Sequence, residues 1–267
     1  MGHESTQSKG GYAEQAARVL AELNEWRRLT GLEHEKVLDV YIDFKSPHAY
    51  LAVRPSLEIA RDYRVKVNFL PFTLSYMDMG LTTSVDADMK RRAPNPPADR
   101  KARMYYATAR QYAALQGLPL RGPHRLLDSS LANRFFMFAK RQGLEVPFYM
   151  KVCLPGWGSG WRDYELESGA QLEASLRDVG ADVNGLETFV AANGECQSEV
   201  DACRKSAEAT GVAGVPHYVY FDVTLERELG LFGREHLALI RKKFSAEGLA
   251  RHAGVRAQFS HAWHGPS

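Results

Sequence analysis

The placement of strand-like segments constrains this chain most. "KVLDVYIDF" (36–44) and "VKVNFLPF" (65–72) lie near its start, and "VPHYVYFDV" (215–223) and "ERELGLF" (226–232) near its end. All are apolar or alternating runs rich in β-branched and aromatic residues, as strands are. The first two enclose "SPHAYLAVRPSLEIARDY", which has helical spacing with Ser46 at the N-cap and Pro47 at the first helical position. Such a β-α-β unit closes right-handed with parallel strands. The last two flank a turn near Thr224, so they read as a hairpin, and "GREHLALIRKKFS" reads as a helix starting near Gly233. Between about 75 and 210 there is almost no strand signal, only helical patterns ending near Gly117, Gly143, Gly180 and Gly211.

The order β-α-β, helical block, β-β-α describes an α/β chain: a thioredoxin-like fold with a large all-helical insertion. The expected division is 1–36, an N-terminal extension with one helix ("YAEQAARVLAELNEWRRLTG"); 37–74 and 212–248, the thioredoxin-like domain; 75–211, the inserted helical domain; and 249–267, a C-terminal tail. Pro55 predicts a kink or local break in the first helix of the β-α-β unit. "PHRLLDSSLANRFFMFAKRQG" (123–143) reads as one helix of the insertion. The weakly patterned tail carries His252, His261 and His264, which read as part of a mobile segment rather than a metal site.

Composition narrows the chemistry. A net charge of +2 gives no electrostatic case for nucleic acid or membrane. No apolar run approaches the ~20 residues that a membrane span needs. "MGHESTQSKGGYAEQ" is polar and lacks the apolar core of a signal peptide, so the expected setting is a reducing cytoplasm. Cys153, Cys196 and Cys203 form no C-x-x-C pair, and their odd number argues against a disulfide framework.

Three places converge in such a fold. At Ser46 a strand ends and a helix N-terminus begins, where free N–H groups and the helix dipole favour an anion. The serine either caps the helix or donates to a thiolate brought by a ligand. In "GVAGVPHYV", Pro216 either forms a cis bond beside that turn, leaving the Val215 backbone open to an extended peptide, or starts a strand in trans. In "LFGREHL", Arg234 and Glu235 either hold the charged end of a peptide-like ligand or form an ordinary charged first turn.

Together, "DFKSPHAYLA", "NPPADRKARMYYATARQYAALQGLPL", "GWGSGWRDYE" and "GVAGVPHYVYF…LFGREHL" resemble 2-hydroxychromene-2-carboxylate isomerases and kappa-class glutathione transferases, in the DsbA-like branch of the thioredoxin fold. The resemblance runs from about Val37 to Lys243. It implies glutathione as cofactor, with Ser46 holding its thiolate and Val215 pairing with its cysteinyl backbone beside a cis-Pro216. It implies further contacts from Asn95, Arg234 and Glu235, a small aromatic substrate, and a cytoplasmic homodimer active in aromatic catabolism. Glu235 and His236 replace the Asp and Arg usual in the family. His48 stands where an aromatic residue is common, and the segment from Pro216 to Gly233 is about six residues longer than the resemblance leads one to expect.

The activity implied is cis-trans isomerisation by thiolate addition, bond rotation and elimination. The alternatives are a kappa-class-like glutathione transferase and a non-catalytic thioredoxin-fold binding protein. Phe72, Tyr76, Tyr105 and Trp157 are possible walls of an apolar pocket, though such aromatics also serve as core. Disulfide exchange needs a thiolate at the turn, and Ser46 supplies none.

Overall fold

The computed structural model describes residues 17–19, 21–22, 31–75 and 96–264. Strand β1 (Lys36–Ile42) leads into helix α1 (Pro47–Asp62) and strand β2 (Val65–Pro71). The helices α2 (Pro96–Leu115), α3 (Ser130–Lys140), α4 (Glu145–Ser159), α5 (Gly169–Asp178), α6 (Leu186–Val190) and α7 (Glu195–Ala209) follow. Strands β3 (His217–Asp222) and β4 (Arg227–Phe232), a 3-10 turn (Arg234–His236) and helix α8 (Leu237–Ala246) complete the order.

The sheet order is β2-β1-β3-β4. β1 and β2 are parallel, in register from Lys36↔Val65 to Ile42↔Pro71. β3 runs antiparallel to both β1 and β4, with Tyr41 opposite His217. The second half of β1, from Val40 to Ile42, is buried without alternation, because a central strand covered on both faces needs no polar side. This pairing brings the C-terminal end of β1 and the residues just before β3 to the same edge of the fold.

α1 is buried almost all round and contacts β1, β2, α2, α4 and α8. The break expected at Pro55 does not occur: the helix is one element from Pro47 to Asp62. Proline has no N–H, so the Leu51 carbonyl loses its intrahelical donor. Gln116 repairs this, its Nε2 donating to the Leu51 carbonyl at 2.9 Å.

Two other expectations are corrected. The helix read over 123–143 is confined to Ser130–Lys140. Asp128 Oδ1 accepts from the Ser130 N–H (2.9 Å) and hydroxyl (2.6 Å), which sets the helix start, and Arg125 is tied to Glu167 in the preceding loop. Among its described residues the tail has no helix or strand but is packed, with Phe259 and Trp263 partly buried against the core. The Arg54 guanidinium lies 5.1 Å from the Trp263 ring. Most of the expected N-terminal helix lies outside the described residues. Residues 17–19 and 21–22 are helical, with Val19 in the core and Glu22 paired to Arg54 at 2.8 Å.

The Gln116–Pro55 arrangement makes a testable prediction. Gln116→Leu leaves the buried Leu51 carbonyl unpaired and costs about 1–3 kcal/mol in urea unfolding. In a Pro55→Ala background, where residue 55 can donate, the same change costs clearly less. Equal costs in the two backgrounds contradict this account.

Candidate functional site

The turn between β1 and α1 is fixed from below. Asp43 is fully buried, and its carboxylate accepts from the N–H groups of Leu74 (2.6 Å) and Lys45 (3.3 Å). Burial raises its pKa, opposed by Lys45. The Asp43 carbonyl accepts from the Ser46 N–H (3.0 Å) and the Tyr149 hydroxyl (3.1 Å). These bonds set Ser46 as the N-cap in extended backbone, its Oγ accepting from the Ala49 N–H at 3.2 Å.

Ser46 also reaches across the fold. Its hydroxyl donates to the carbonyl of Val215 at 3.0 Å. The Val215–Pro216 bond is cis, so of the two conformations left open by the sequence the structure has the one beside the turn. The Pro216 carbonyl accepts from the Gly233 N–H at 2.9 Å, tying the final turn to the same point. The Val215 N–H makes no hydrogen bond among the described residues. A helix N-terminus, a cis-proline loop and an N–H without a partner among the described residues thus meet at one place.

The remaining candidates separate. Arg234 is 3% exposed, and its guanidinium carbon stands 4.3 Å from the Tyr112 ring centroid. Its Nη1 is buried without a hydrogen-bond partner among the described residues. Glu235 is exposed, its carboxylate folded back over Gly233, whose φ of +106° few other residues adopt. Neighbouring side chains therefore face opposite environments. Asn95 lies outside the described residues, as does Tyr76. Trp157 is wholly buried and Phe72 nearly so, which makes both core rather than wall.

The sequence reading gave Tyr105 only as a possible pocket wall and gave His48 no role. The Tyr105 hydroxyl is 3.5 Å from Ser46 Oγ. Its ring meets the His48 imidazole edge-on with centroids 4.3 Å apart. Tyr105 and Tyr112 are seven residues apart on α2, two turns along one face, so the signal was present in the helical spacing. Burial raises the Tyr105 pKa, and the phenol stays protonated. Burial, then the Arg234 charge, lowers His48 to about 4.

Two volumes lie elsewhere. A cavity of about 240 Å³ opens behind the turn between Lys45, Leu74, Asp128 and Arg204. A groove of about 570 Å³ between α3, α5 and α6 shares no residue with the Ser46 site.

A thioredoxin-like fold with serine at the helix start and a cis-proline opposite defines the class. Residues 37–245 match the family model of the DsbA-like thioredoxin domain, and the chain belongs to that family. No curated protein sequence matches it. Among solved structures it is similar to 2-hydroxychromene-2-carboxylate isomerase, with 21% identity, a TM-score of 0.59, and coverage of 79% of this chain and 94% of the isomerase. It is also similar to the cytosolic disulfide reductase DsbM from Pseudomonas aeruginosa solved with glutathione. That match has 17% identity, a TM-score of 0.51, and coverage of 79% and 97% of the two chains. At these identities the likeness speaks to the fold. Among the described residues, no helix is long and apolar enough to cross a membrane.

The imidazoles make stability depend on pH. His48 titrates near 4 when folded, below its ordinary 6.5, and burial lowers His217 to about 4 as well. The unfolded chain takes up these protons first, so stability is full above about pH 6.5 and falls as pH drops toward 4. His48→Phe should recover on the order of 1–2 kcal/mol of that loss in melts compared at pH 7 and pH 4.5. An unchanged loss would show that His48 is not held neutral.

Proposed function

We propose that the chain binds glutathione across the Ser46–Val215 junction and uses its thiol to isomerise a double bond in a small aromatic intermediate. The observation that carries this reading is the Ser46 hydroxyl bound to the Val215 carbonyl at a helix N-terminus, with the Val215 N–H unpaired beside it. A redox member would need a thiolate there. The three cysteines of this chain are all buried and free, and burial raises the thiol pKa of each. The sulfur of the proposed reaction therefore comes with the ligand. The bound glutathione of DsbM supports the choice of ligand, and the isomerase supports the choice of reaction.

Glutathione's thiol resembles that of cysteine, with a pKa of about 8.5, so little is ionised at neutral pH. The positive end of the α1 dipole and hydrogen bonds from the site favour the thiolate. The thiolate adds to a conjugated carbon of the substrate, and the former double bond becomes free to rotate. Elimination then restores the double bond and expels the thiolate, as in covalent catalysis with a borrowed nucleophile. In the transferase alternative the adduct leaves as product.

The Val215 N–H takes the cysteinyl backbone beside Pro216. Asn95, Arg234 and Glu235 complete the proposed ligand contacts. A cytoplasmic homodimer belongs to the same proposal.

Calorimetry with reduced glutathione tests the reading. Binding at millimolar concentration or tighter is expected, and absence of binding at millimolar glutathione removes it. Arg234→Met, which takes away the buried cation, should weaken binding about tenfold if a ligand carboxylate reaches that cation. Mass spectrometry of products then separates an isomer free of glutathione from an adduct.

A further inference from the structure

The hydrogen bonds around Ser46 leave its proton committed. A serine hydroxyl has one donor and two acceptor positions. At Ser46 the proton goes to the Val215 carbonyl (3.0 Å), and one lone pair takes the Ala49 N–H (3.2 Å). Ser46 is 1% exposed, and its hydroxyl joins two parts of the chain. To donate to a sulfur it has to abandon the bond that holds the cis-proline loop against α1.

Tyr105 is differently placed. Its oxygen lies 3.5 Å from Ser46 Oγ, at the far limit of a hydrogen bond, and has no other partner among the described residues. The residue is half-buried, unlike Ser46, which is 1% exposed. Packing of its ring against His48 at 4.3 Å fixes its direction.

We propose that Tyr105 is a catalytic residue of this site, the hydroxyl that donates its proton in a hydrogen bond to the ligand sulfur, while Ser46 holds the loop and the helix together. The thiol proton passes to solvent, and Tyr105 keeps its own proton throughout. Arg234, close enough to lower the Tyr105 pKa somewhat, adds favourable charge for the anion. This inference rests on the glutathione reading and changes which oxygen does the work within it.

Ultraviolet titration of the thiolate of bound glutathione tests this in the wild type, Tyr105→Phe and Ser46→Ala. Phenylalanine keeps the ring against His48 and removes only the donor. The expected result is a rise of about one pH unit in the thiol midpoint of Tyr105→Phe, or a tenfold loss of thiolate at a fixed lower pH. An unchanged midpoint in Tyr105→Phe overturns the proposal, whether Ser46→Ala shifts or not. A weaker affinity with an unmoved midpoint also overturns it, because it marks a structural role. If the wild type binds no glutathione, the glutathione reading falls and this inference falls with it.

Discussion

The hydrogen bond from Ser46 to the Val215 carbonyl joins groups 169 residues apart in the chain, and the site depends on it. It connects the start of α1 to the loop entering β3. Both groups must already be in place for it to form, and the sheet supplies that placement by pairing β1 with β3. The rest of the turn is braced independently. Asp43 receives donors on its carboxylate and on its carbonyl, and it sits buried where such a group is tolerated only when hydrogen-bonded. The junction is therefore braced from both sides, with the Val215 N–H left without a partner among the described residues.

The charge pattern around this junction is asymmetric. Arg234 is buried with an unpaired nitrogen, while Glu235, its neighbour, faces solvent. Among the described residues the guanidinium makes no ion pair within salt-bridge distance, and burial lowers its pKa while the Glu235 charge opposes that. His48 adds no second positive charge, because burial and Arg234 keep it neutral above about pH 4. The Tyr112 ring lies over the cation, and the His48 and Tyr105 rings pack on each other nearby. The tail contributes as well: His261 packs on Tyr112 at 4.4 Å, so residues with no regular secondary structure form part of the wall behind Arg234.

Much of the frame was legible in the sequence because periodicity reports burial. The alternation and apolar runs of β1 to β4 and the Ser-Pro start of α1 come from local rules that hold wherever such a segment packs. That no break falls at Pro55 has the opposite origin: its defect is mended by Gln116, which lies 65 residues away from the carbonyl it serves. The truncated start of α3 follows from Asp128 competing for the Ser130 N–H, a side-chain effect that a spacing pattern does not register. The tail failed for want of pattern, since an irregular segment is held by single contacts such as Trp263 on Arg54. At the site, Ser46 stood out as the wrong residue at a familiar turn, but its proton's destination and the nearness of Tyr105 are tertiary facts.

A serine that fastens the site, with the reacting sulfur supplied by a ligand, accounts for the missing cysteine without assigning the chain a lost activity. A crystal structure with reduced glutathione tests that claim most directly. The account predicts an extended peptide with its cysteinyl backbone on the Val215 N–H and its sulfur in hydrogen-bond range of the Ser46–Tyr105 pair. Glutathione seated elsewhere, or an empty junction at saturating glutathione, would contradict it.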